Sequence, residues 1–440
     1  MKSLLIGNGA REHALAEQMA KGSELYAFMK ARNPGIMALA KGHELGDINN
    51  SKAVLKYALH VKPDYIFIGP EDPLAKGVGD ELQKNGFGVV GPTSAAARLE
   101  SDKAFCRDLM QEHLDGGYPK FRVCSNREDV LKAIQEFDTE IVIKPAGLTG
   151  GKGVKVMGQQ LRDLYEARDY ALEVVENQIG GSGVVVIEEK LVGEEFTLHV
   201  FTDGTEVVPL PLVQDHKQAH EGDTGPMTGG MGSYSDANHL LPFLEQKDVD
   251  EALDIMKRTI AALKKRTGTI YKGVLYGQFM LTKDGPKIIE YNVRFGDPEA
   301  MNILPLLKTD FSFLCQSMLE GSLPKVIEFE NLASVCKYLV PTGYPESPES
   351  GAKVSIDEEE ITRLGAKLYY ASVDLKDGEL YTSTSRSFGI TGFADTIEEA
   401  EKIAESAISS VQCDKLFYRP DIGKPELVQK RIDHMKELRG

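Results

Sequence analysis

The first hundred residues alternate short apolar runs with amphipathic segments. Apolar runs at residues 2–6, 24–29, 64–68 and 88–90 predict buried strands, and residues 11–20 predict a helix. Gly-Pro pairs at residues 69–70 and 91–92 follow the last two runs and predict turns. Strands that alternate with helices in this way indicate a doubly wound parallel sheet.

The middle of the chain mixes strand and helix patterns around two glycine-rich segments. Helices are predicted at residues 95–111, 129–136, 161–177 and 249–267, and strands at 141–144, 154–157, 183–188, 195–201, 273–281 and 287–291. Residues 215–234 are polar and rich in glycine, which predicts a long irregular loop. A loop of this length is costly to order, so we expect it to bind a substrate.

The pattern becomes strand-rich after about residue 323. Strands are predicted at residues 334–340, 367–374 and from 380 onward, and a helix over 396–411 with Asp395 or Thr396 as its cap. A chain of 440 residues is too long for one ordinary core, so several domains are expected. We place the domain boundaries near residues 101 and 322.

Composition and charge narrow the class of protein. The net charge of −16 disfavours nucleic acid and anionic membranes as partners. No apolar run is long enough to span a bilayer, and the first residues predict a strand rather than a signal peptide. The five cysteines are scattered, as expected for free thiols in a cytoplasmic protein. Single basic residues inside glycine-rich turns instead predict a small anionic ligand.

Two glycine-rich turns carry basic residues. The first, GNGAREH at residues 7–13, lies between a strand and a helix. Glu12 stands where a dinucleotide-binding turn has its third glycine, so NAD binding is disfavoured and Arg11 suits the phosphate of a smaller ligand. A plain tight turn is the alternative. The second, KPAGLTGGKG at residues 144–153, suits either a loop over polyphosphate or a simple turn, and lacks the order of residues in a P-loop.

A strand with polar residues at every second position carries the third motif, KIIEYNVRFGDPE at residues 287–299. A strand places Glu290, Asn292 and Arg294 on one face. A carboxylate, an amide oxygen and a guanidinium side by side fit Mg²⁺ and phosphate. His216, in the glycine-rich segment, is either a functional residue or a structural hydrogen-bonding group.

Taken together, these segments resemble the ATP-grasp ligases, and among them the glycinamide ribonucleotide synthetase family. The resemblance rests on GNGAREHALA, GPEDPL, GPTSAAARLESDKAF, IVIKPAGLTGGKGVKV, VVIEEKLVGEEFTLHVFTDG, QDHKQAHEGDTGPMTGGMGSYS, IIEYNVRFGDPE and FYRPDIG, in that order. It implies an α/β protein with an N-terminal Rossmann-like domain (1–101), an ATP-grasp domain (102–322) with a mobile lid (about 121–190), and a small C-terminal α+β domain (323–440).

The resemblance also implies roles for individual residues. Those implied to bind ATP are Lys103, Lys144, Gly150, Gly151, Lys152, Gly153, Glu188, Glu189, Lys190, Leu191 and Glu195. Those implied to line the phosphoribosylamine side are Gly9, Arg11, Glu12 and Glu71. Those implied to surround the transferred phosphoryl group and glycine are Asp215, Lys217, Gly229, Gly230, Arg294 and Asp297. Glu290 and Asn292 are implied to hold Mg²⁺ or Mn²⁺, and Gln278 lies where many ATP-grasp enzymes have a second metal-binding carboxylate.

The implied reaction is the ATP-dependent joining of glycine to 5-phosphoribosylamine through a glycyl phosphate. This chemistry depends on positioning and charge neutralisation, and a closed lid protects the intermediate from water. The expected protein is a cytoplasmic monomer or weak homodimer. The alternatives are another ATP-grasp ligase, a carboxylase, or an ATP-binding module without activity.

Overall fold

The computed structural model describes residues 1–137, 139–149 and 153–440. The N-terminal part is a five-stranded parallel sheet in the order β3-β2-β1-β4-β5. Its strands are β1 (Lys2–Ile6), β2 (Glu24–Met29), β3 (Gly42–Leu45), β4 (Tyr65–Ile68) and β5 (Val89–Val90). The apolar β4 is buried along its whole length, as expected for a parallel sheet covered on both faces. The predicted doubly wound sheet is confirmed.

Seven helices precede the second sheet. They are α1 (Ala10–Gly22), α2 (Pro34–Leu39), α3 (Ser51–Val61), α4 (Glu71–Ala75), α5 (Val78–Lys84), α6 (Ser94–Ser101) and α7 (Lys103–His113). The single helix predicted over residues 95–111 is therefore two helices. Asp102 has an extended backbone and its carboxylate accepts a hydrogen bond from the Phe105 N–H at 3.0 Å. It ends α6 and caps α7.

A smaller antiparallel sheet follows and has its own core. Its strands are β6 (Phe121–Cys124), β7 (Ile141–Pro145), β8 (Lys155–Val156) and β9 (Val185–Glu189), in the order β6-β9-β7-β8, with helices α8 (Arg127–Gln135) and α9 (Leu164–Glu176). Val130, Ile143, Ala167 and Ile187 belong to a hydrophobic cluster that is separate from the main core. This unit, called the lid below, corresponds to the segment expected to be mobile.

The central sheet carries the third motif. The next elements are β10 (Glu194–Thr202), β11 (Val207–Pro209), β12 (Gln214–Asp215), β13 (Gln218–His220), β14 (Thr224–Met227), β15 (Gly232–Ser235), α10 (Gln246–Thr267), β16 (Gly273–Thr282) and β17 (Gly285–Asn292). The sheet has the order β11-β10-β16-β17. Gln278 pairs with Glu290 and Phe279 with Ile288, so Ile289 is an extra residue that forms a β-bulge.

The glycine-rich segment is more regular than predicted. Within residues 215–234 the expected irregular loop contains the hairpin β13–β14, and β15 also begins there. Strands β12 and β15 pair with each other, and β15 pairs with a C-terminal strand. The segment is more regular because its backbone N–H and C=O groups pair with strands that are distant in the sequence. The local sequence pattern does not reveal these partners.

The C-terminal part is an α+β unit, as expected. Its elements, with those that lead to it, are α11 (Glu299–Ile303), a 3₁₀ turn (Leu304–Leu306), α12 (Phe311–Glu320), β18 (Ala333–Pro341), β19 (Lys353–Ile356), α13 (Glu358–Arg363), β20 (Ala366–Tyr370), β21 (Val373–Lys376), β22 (Glu379–Thr382), β23 (Phe388–Ala394), α14 (Ile397–Ile408), β24 (Val411–Gln412), β25 (Leu416–Phe417) and α15 (Pro425–Arg439). One sheet runs β12-β15-β18-β23-β20 and another β21-β22-β19-β24. The strand predicted over residues 367–374 is two strands in different sheets, and α15 was not predicted.

Among the described residues, no helix combines the length and the apolar character that crossing a bilayer requires.

Lys337 connects β18 to the end of the chain. Its ammonium is fully buried and donates to Glu401 at 2.6 Å, to Glu405 at 2.6 Å and to the Pro420 carbonyl at 3.0 Å. All three N–H groups of the ammonium therefore have acceptors. This contact holds the segment after β25 against the C-terminal sheet.

We expect Lys337→Ala to lower the free energy of unfolding by about 3–5 kcal/mol, because it leaves the buried Glu401 carboxylate without a counter-charge. Chemical denaturation measures the loss. Lys353→Ala removes an exposed pair with Glu379 and is the control, with no measurable change expected. Equal stability of Lys337→Ala and wild type would contradict the assigned role.

Candidate active site

The Lys217 ammonium lies among several carboxylates and is the centre of the site. Its Nζ donates to Gln278 Oε1 at 2.5 Å and lies 3.9 Å from Glu290 Oε1. Gln278 Nε2 in turn donates to Glu195 Oε2 at 2.5 Å. Burial acts to lower the pKa of Lys217, but Glu290, Glu195 and Asp215 raise it above its ordinary value. Lys217 therefore stays charged.

These contacts fix the orientation of the Gln278 amide. An ammonium only donates hydrogen bonds and a carboxylate only accepts them, so the oxygen must face Lys217 and the nitrogen must face Glu195. The amide oxygen is thus occupied by Lys217 in this arrangement. Gln278 thus connects Lys217 to Glu195 on the neighbouring strand β10.

Strand β17 brings the predicted metal-binding residues to the same place. Glu290 lies opposite Gln278, and Asn292 lies opposite Tyr276. Asn292 Oδ1 accepts from Arg294 Nη2 at 3.1 Å, so these two predicted residues are in contact. Burial acts to raise the pKa of Glu290, but Lys217, Lys103 and Lys144 lower it below its ordinary value. Glu290 is therefore an ionised carboxylate facing basic groups.

The bulge at Ile289 turns a backbone carbonyl toward two cations. The Ile289 oxygen accepts from Arg107 Nη2 at 2.7 Å and from Lys144 Nζ at 3.2 Å. Glu188 pairs with both, at 2.6 Å from Arg107 Nε and 2.7 Å from Lys144 Nζ. Burial acts to raise the pKa of Glu188, but Arg107 and Lys144 lower it to about 2. Arg107 was missed because an arginine in a helix carries no motif.

The segment after β9, expected to contact adenine, is held by further ion pairs. Glu189 Oε1 accepts from the Lys120 N–H and from Lys287 Nζ, each at 3.0 Å. Lys190 Nζ pairs with Glu140 at 2.5 Å. Leu191 is half-buried. The carboxylates of Glu188 and Glu189 are therefore engaged with protein groups. A ligand at this segment would find its backbone N–H and C=O groups more available than its carboxylates.

The predicted phosphate loop is described only in part. Gly150, Gly151 and Lys152 lie outside the described residues. At its ends, the Gly153 N–H donates to Thr149 Oγ1 at 3.2 Å and the Gly153 carbonyl accepts from Tyr170 at 2.7 Å. The Lys103 N–H donates to the Ala146 carbonyl at 2.8 Å. Helix α7 therefore anchors the N-terminal end of this turn.

The N-terminal turn differs from the expected anion site. Glu12 Oε2 accepts from the Gly9 N–H at 2.6 Å, and Glu12 Oε1 accepts from Arg11 Nε at 2.6 Å. The carboxylate of Glu12 thus occupies the N-terminus of α1, within the glycine-rich turn that was expected to bind an anion. A helix N-terminus attracts negative charge, and here the chain supplies it. Gly7, with φ +129°, lies too close to the Glu12 side chain for a Cβ atom.

Arginine and glutamate side chains alternate between the N-terminal and central units. Arg294 Nη2 lies 2.9 Å from Glu100 Oε1, and Arg294 Nε lies 3.4 Å from Glu71 Oε2. Arg11 Nη2 lies 3.8 Å from the same Glu71 oxygen, and both arginines donate to the Phe295 carbonyl at 3.1 Å. Burial acts to raise the pKa of Glu71, but Arg294 and Arg11 lower it to about 2. Burial raises the pKa of Glu100 to about 7.

Asp215 lies beneath the glycine-rich segment. Its Oδ1 accepts from the His216 N–H at 2.7 Å. Burial and the nearby Glu299 raise its pKa well above the ordinary value. A Cβ atom at Gly230, where φ is +116°, would lie 2.7 Å from the Asp215 carboxylate and 2.6 Å from Pro298. Only glycine allows the backbone to approach these groups so closely.

Arg386, from the C-terminal unit, was missed by sequence reasoning. Its Nη1 donates to the carbonyls of Gly229, Gly230 and Asp297 at 2.8, 2.9 and 2.9 Å. Its Nη2 lies 3.3 Å from Asp297 Oδ1, which also accepts from Tyr338 at 2.6 Å. The guanidinium therefore ties the glycine-rich segment to the turn that contains Asp297. No local sequence signal could have identified it, because its partners lie far away in the chain.

His216 does not join the site formed by its neighbours Asp215 and Lys217. Its ring is buried near Tyr234, at 5.7 Å between centroids. Within the described part of the chain, neither ring nitrogen has a hydrogen-bond partner. Burial lowers its pKa to about 3, so the ring is neutral. It is therefore neither the hydrogen-bonding group nor the site residue considered from the sequence.

The side chains of the site could bind a metal ion only if another molecule supplied further ligand atoms. Over residues 1–137, 139–149 and 153–440, no group of three His, Cys, Asp or Glu side chains could hold a metal ion. Glu290 and Asn292 do offer an ionised carboxylate and an amide oxygen, which are ligands that Mg²⁺ accepts. Mg²⁺ commonly binds one or two protein oxygens and completes its shell with substrate phosphates and water.

Family models match three parts of the chain. Those described as the N domain, the ATP-grasp (A) domain and the C domain of phosphoribosylglycinamide synthetase match residues 1–100, 101–300 and 334–425.

Named relatives are similar over the full length. A phosphoribosylamine–glycine ligase of Methanobrevibacter smithii is 52% identical over 438 residues, and one of Methanothermobacter thermautotrophicus is 51% identical over 439, with 100% of each chain covered. The crystal structure of the ligase of that name from Thermotoga maritima has a TM-score of 0.81 at 28% identity and covers 96% of this chain and 100% of its own. A biotin carboxylase from Campylobacter jejuni, with a TM-score of 0.74, 15% identity, and 99% of this chain and 98% of its own covered, shares the fold alone.

We expect Arg386→Gln to raise amide hydrogen exchange in residues 228–231 by about tenfold or more, because three carbonyls lose a charged donor. Exchange followed by mass spectrometry measures the change at peptide resolution. Arg363→Gln is the control, since the exposed Arg363 side chain pairs with Glu360 on the same helix, α13. Unchanged exchange in residues 228–231 would show that the glycine-rich segment is ordered without Arg386.

Proposed function

The chain belongs to the phosphoribosylglycinamide synthetase family, and from this premise we propose that its site joins glycine to 5-phosphoribosylamine with ATP. The products are glycinamide ribonucleotide, ADP and phosphate, in purine biosynthesis. The observation that carries the proposal is the assembly of Lys144, Lys217 and Arg294 around Glu290 and Asn292. It occurs in a chain about half identical, over its full length, to proteins named for this reaction.

The reaction has two balanced steps. A carboxylate oxygen of glycine attacks the γ-phosphorus of ATP, and the bond to the β-phosphate oxygen breaks to release ADP. The amine of phosphoribosylamine then attacks the carbonyl of glycyl phosphate, loses a proton and expels phosphate. Neither step needs a nucleophile from the protein, so positioning and charge neutralisation supply the catalysis.

We assign ATP to the cleft between the lid and the central sheet. Lys103 and Lys144 are the proposed phosphate contacts, together with Gly150, Gly151, Lys152 and Gly153. The Glu188–Leu191 segment is the proposed adenine hinge and Glu195 the proposed ribose ligand. The phosphate role of Lys144 is supported by its contact with Glu188. That carboxylate holds the Lys144 ammonium beside the Ile289 carbonyl. A lysine fixed in this way loses little side-chain entropy when phosphate binds.

Glu290 and Asn292 are the proposed ligands of Mg²⁺ or Mn²⁺. The lowered pKa of Glu290 keeps its carboxylate charged at neutral pH, which suits a divalent cation. Bound there with ATP, the cation would neutralise charge on the β- and γ-phosphates. Gln278 brings no charge and is engaged with Lys217, so Glu290 is the protein's main contribution.

The substrates to be joined are assigned to the opposite side of the site. Arg294 and Lys217 are proposed to stabilise charge on the transferred phosphoryl group, and Asp215 to orient glycine near Gly229 and Gly230. Asp297 offers a second acceptor, since Tyr338 and Arg386 engage only its Oδ1 and its Oδ2 lies toward Gly9. A carboxylate oxygen so placed suits a substrate amine.

The N-terminal unit is assigned to phosphoribosylamine through Gly9, Arg11, Glu12 and Glu71. The Gly9 N–H already donates to the Glu12 carboxylate. We therefore propose that the Arg11 side chain, and not the backbone of this turn, contacts the phosphate. The lid, about residues 121–190, is proposed to close over both substrates and to exclude water from glycyl phosphate. Its separate core allows it to move as a unit.

We also propose the three-domain division at residues 101 and 322, a cytoplasmic location and a monomer or weak homodimer.

The proposed function is tested by phosphate release with ATP, glycine and freshly generated phosphoribosylamine. We expect release only with both substrates present, with one phosphate for each glycinamide ribonucleotide formed. Release that depends on bicarbonate and not on glycine would identify a carboxylase instead.

Lys144→Met and Glu290→Ala should each lower turnover by about a hundredfold or more, because electrostatic stabilisation of phosphoryl transfer is lost. Steady-state kinetics on folded variants measure the effect. Lys120→Met is the control for Lys144, since the Lys120 side chain donates to an exposed carbonyl of the lid. If either variant keeps more than about a tenth of wild-type turnover, the role assigned to its residue is wrong.

Metal should bind tightly only together with nucleotide. The protein offers one charged ligand in Glu290, so most of the coordination must come from ATP phosphates. Calorimetric titration of Mn²⁺ with and without a non-hydrolysable ATP analogue measures the dependence. Equal affinity in the two titrations would contradict the assignment of Glu290 and Asn292 as a partial site.

A further inference from the structure

The C-terminal helix α15 packs on the central unit beside the proposed adenine hinge. His434 Nδ1 lies 2.5 Å from Glu194 Oε1, and Arg431 Nη1 lies 3.2 Å from Glu194 Oε2. Glu194 is buried and is the first residue of β10, three positions after Leu191. The helix therefore contacts the chain where the proposed hinge ends.

Arg431 also contacts the glycine-rich segment. Its Nη2 pairs with Asp223 Oδ2 in the turn between β13 and β14. Asp223 has φ +60°, a conformation that non-glycine residues adopt rarely. Its other oxygen accepts from Arg419 Nη1 at 3.0 Å, and Arg419 pairs with Asp421. This turn is thus held by two arginines from the end of the chain.

One guanidinium accordingly joins two segments that the proposed reaction uses separately. Glu194 follows the segment assigned to adenine, and Asp223 belongs to the segment assigned to glycine. Only about a seventh of the Arg431 side chain is exposed, so these pairs are shielded from solvent. A planar guanidinium can bind two carboxylates at once, which a lysine cannot do with the same geometry.

We propose that Arg431 is a positioning residue that holds the adenine hinge and the glycine-rich segment in a fixed relation. This inference rests on the proposed function for its kinetic consequences. Helix α15 begins where the matched C domain ends, at residue 425, so the role lies in an element beyond the family models.

Helix α15 has other means of attachment. Leu427 and Met435 are buried, and Val428, Ile432 and Leu438 pack against the main core. Arg439 pairs with Asp248 at the start of α10, at 2.7 Å. These contacts keep the helix in place when Arg431 is changed, so the effect of Arg431 on the site can be measured by itself.

The test compares Arg431→Ala with Arg439→Ala, which removes an ion pair from the same helix at a distance from the site. For Arg431→Ala we expect a rise of about tenfold in both the Kd for a non-hydrolysable ATP analogue and the KM for glycine, as for loss of one partner of a buried pair. For Arg439→Ala we expect both constants within about twofold of wild type, because its partner Asp248 lies at the start of α10 and belongs to neither of the two assigned segments.

Two further variants separate the two contacts. Glu194→Gln should raise mainly the Kd for the ATP analogue, and Asp223→Asn mainly the KM for glycine. Arg431→Ala should raise both. If Arg431→Ala lowers the melting temperature but changes neither constant by more than about twofold, Arg431 only stabilises the fold. The proposal is then wrong.

A readout without turnover keeps this inference distinct from the proposed function. Amide hydrogen exchange of residues 218–227 and 188–195 should rise in Arg431→Ala and not in Arg439→Ala. A wild-type protein without ligase activity would overturn the proposed function, and the exchange result would still decide the positioning role. Should Arg431→Ala not fold, Arg431→Lys keeps the charge but loses the double contact, and the same increases are expected. Unchanged exchange in the folded variant would overturn the inference.

Discussion

The requirement that buried charges be paired determines how this site is built. Leaving one charge of a buried pair without its partner costs several kcal/mol, and the buried cations named below each lie beside a carboxylate. Lys144 and Arg107 share Glu188, Lys217 faces Glu290, and the chain from Arg294 to Glu71 to Arg11 joins the N-terminal unit to the central one. A triphosphate would add negative charge beside these pairs. Under the proposed function, a divalent cation that binds together with ATP would offset that charge.

The β-bulge at Ile289 makes this pairing compatible with a sheet. In an unbroken ladder the Ile289 carbonyl would be used by the neighbouring strand. The extra residue releases it, and Arg107 and Lys144 donate to it instead. The same insertion shifts the register, so that Glu290 lies opposite Gln278 and within reach of Lys217. One local irregularity therefore determines the surroundings of both Lys144 and Glu290.

Much of the architecture was predictable because it is encoded locally. Strands β1, β2 and β4 each contain a buried apolar run, and the spacing of Glu290, Asn292 and Arg294 follows the period of a strand. What could not be predicted depends on contacts between distant residues. The Glu12 carboxylate fills the α1 N-terminus that looked free for a ligand, and Arg386 reaches the glycine-rich segment from a position more than 150 residues away. Strands β12 and β15 form because a C-terminal strand offers them an edge, which the local pattern of residues 215–234 does not reveal.

That shared sheet has a mechanical consequence for the reaction. Because β15 pairs with β18, the segment that contains Gly229 and Gly230 is part of the C-terminal unit as much as of the central one. Arg386 and Lys337 reinforce the same connection, the first at the glycine-rich segment and the second at the segment after β25. The described strands of the lid, by contrast, form a sheet of their own over a separate core. The closure proposed above would therefore be a movement of the lid toward a fixed surface, with the proposed glycine contacts Gly229 and Gly230 on the fixed side.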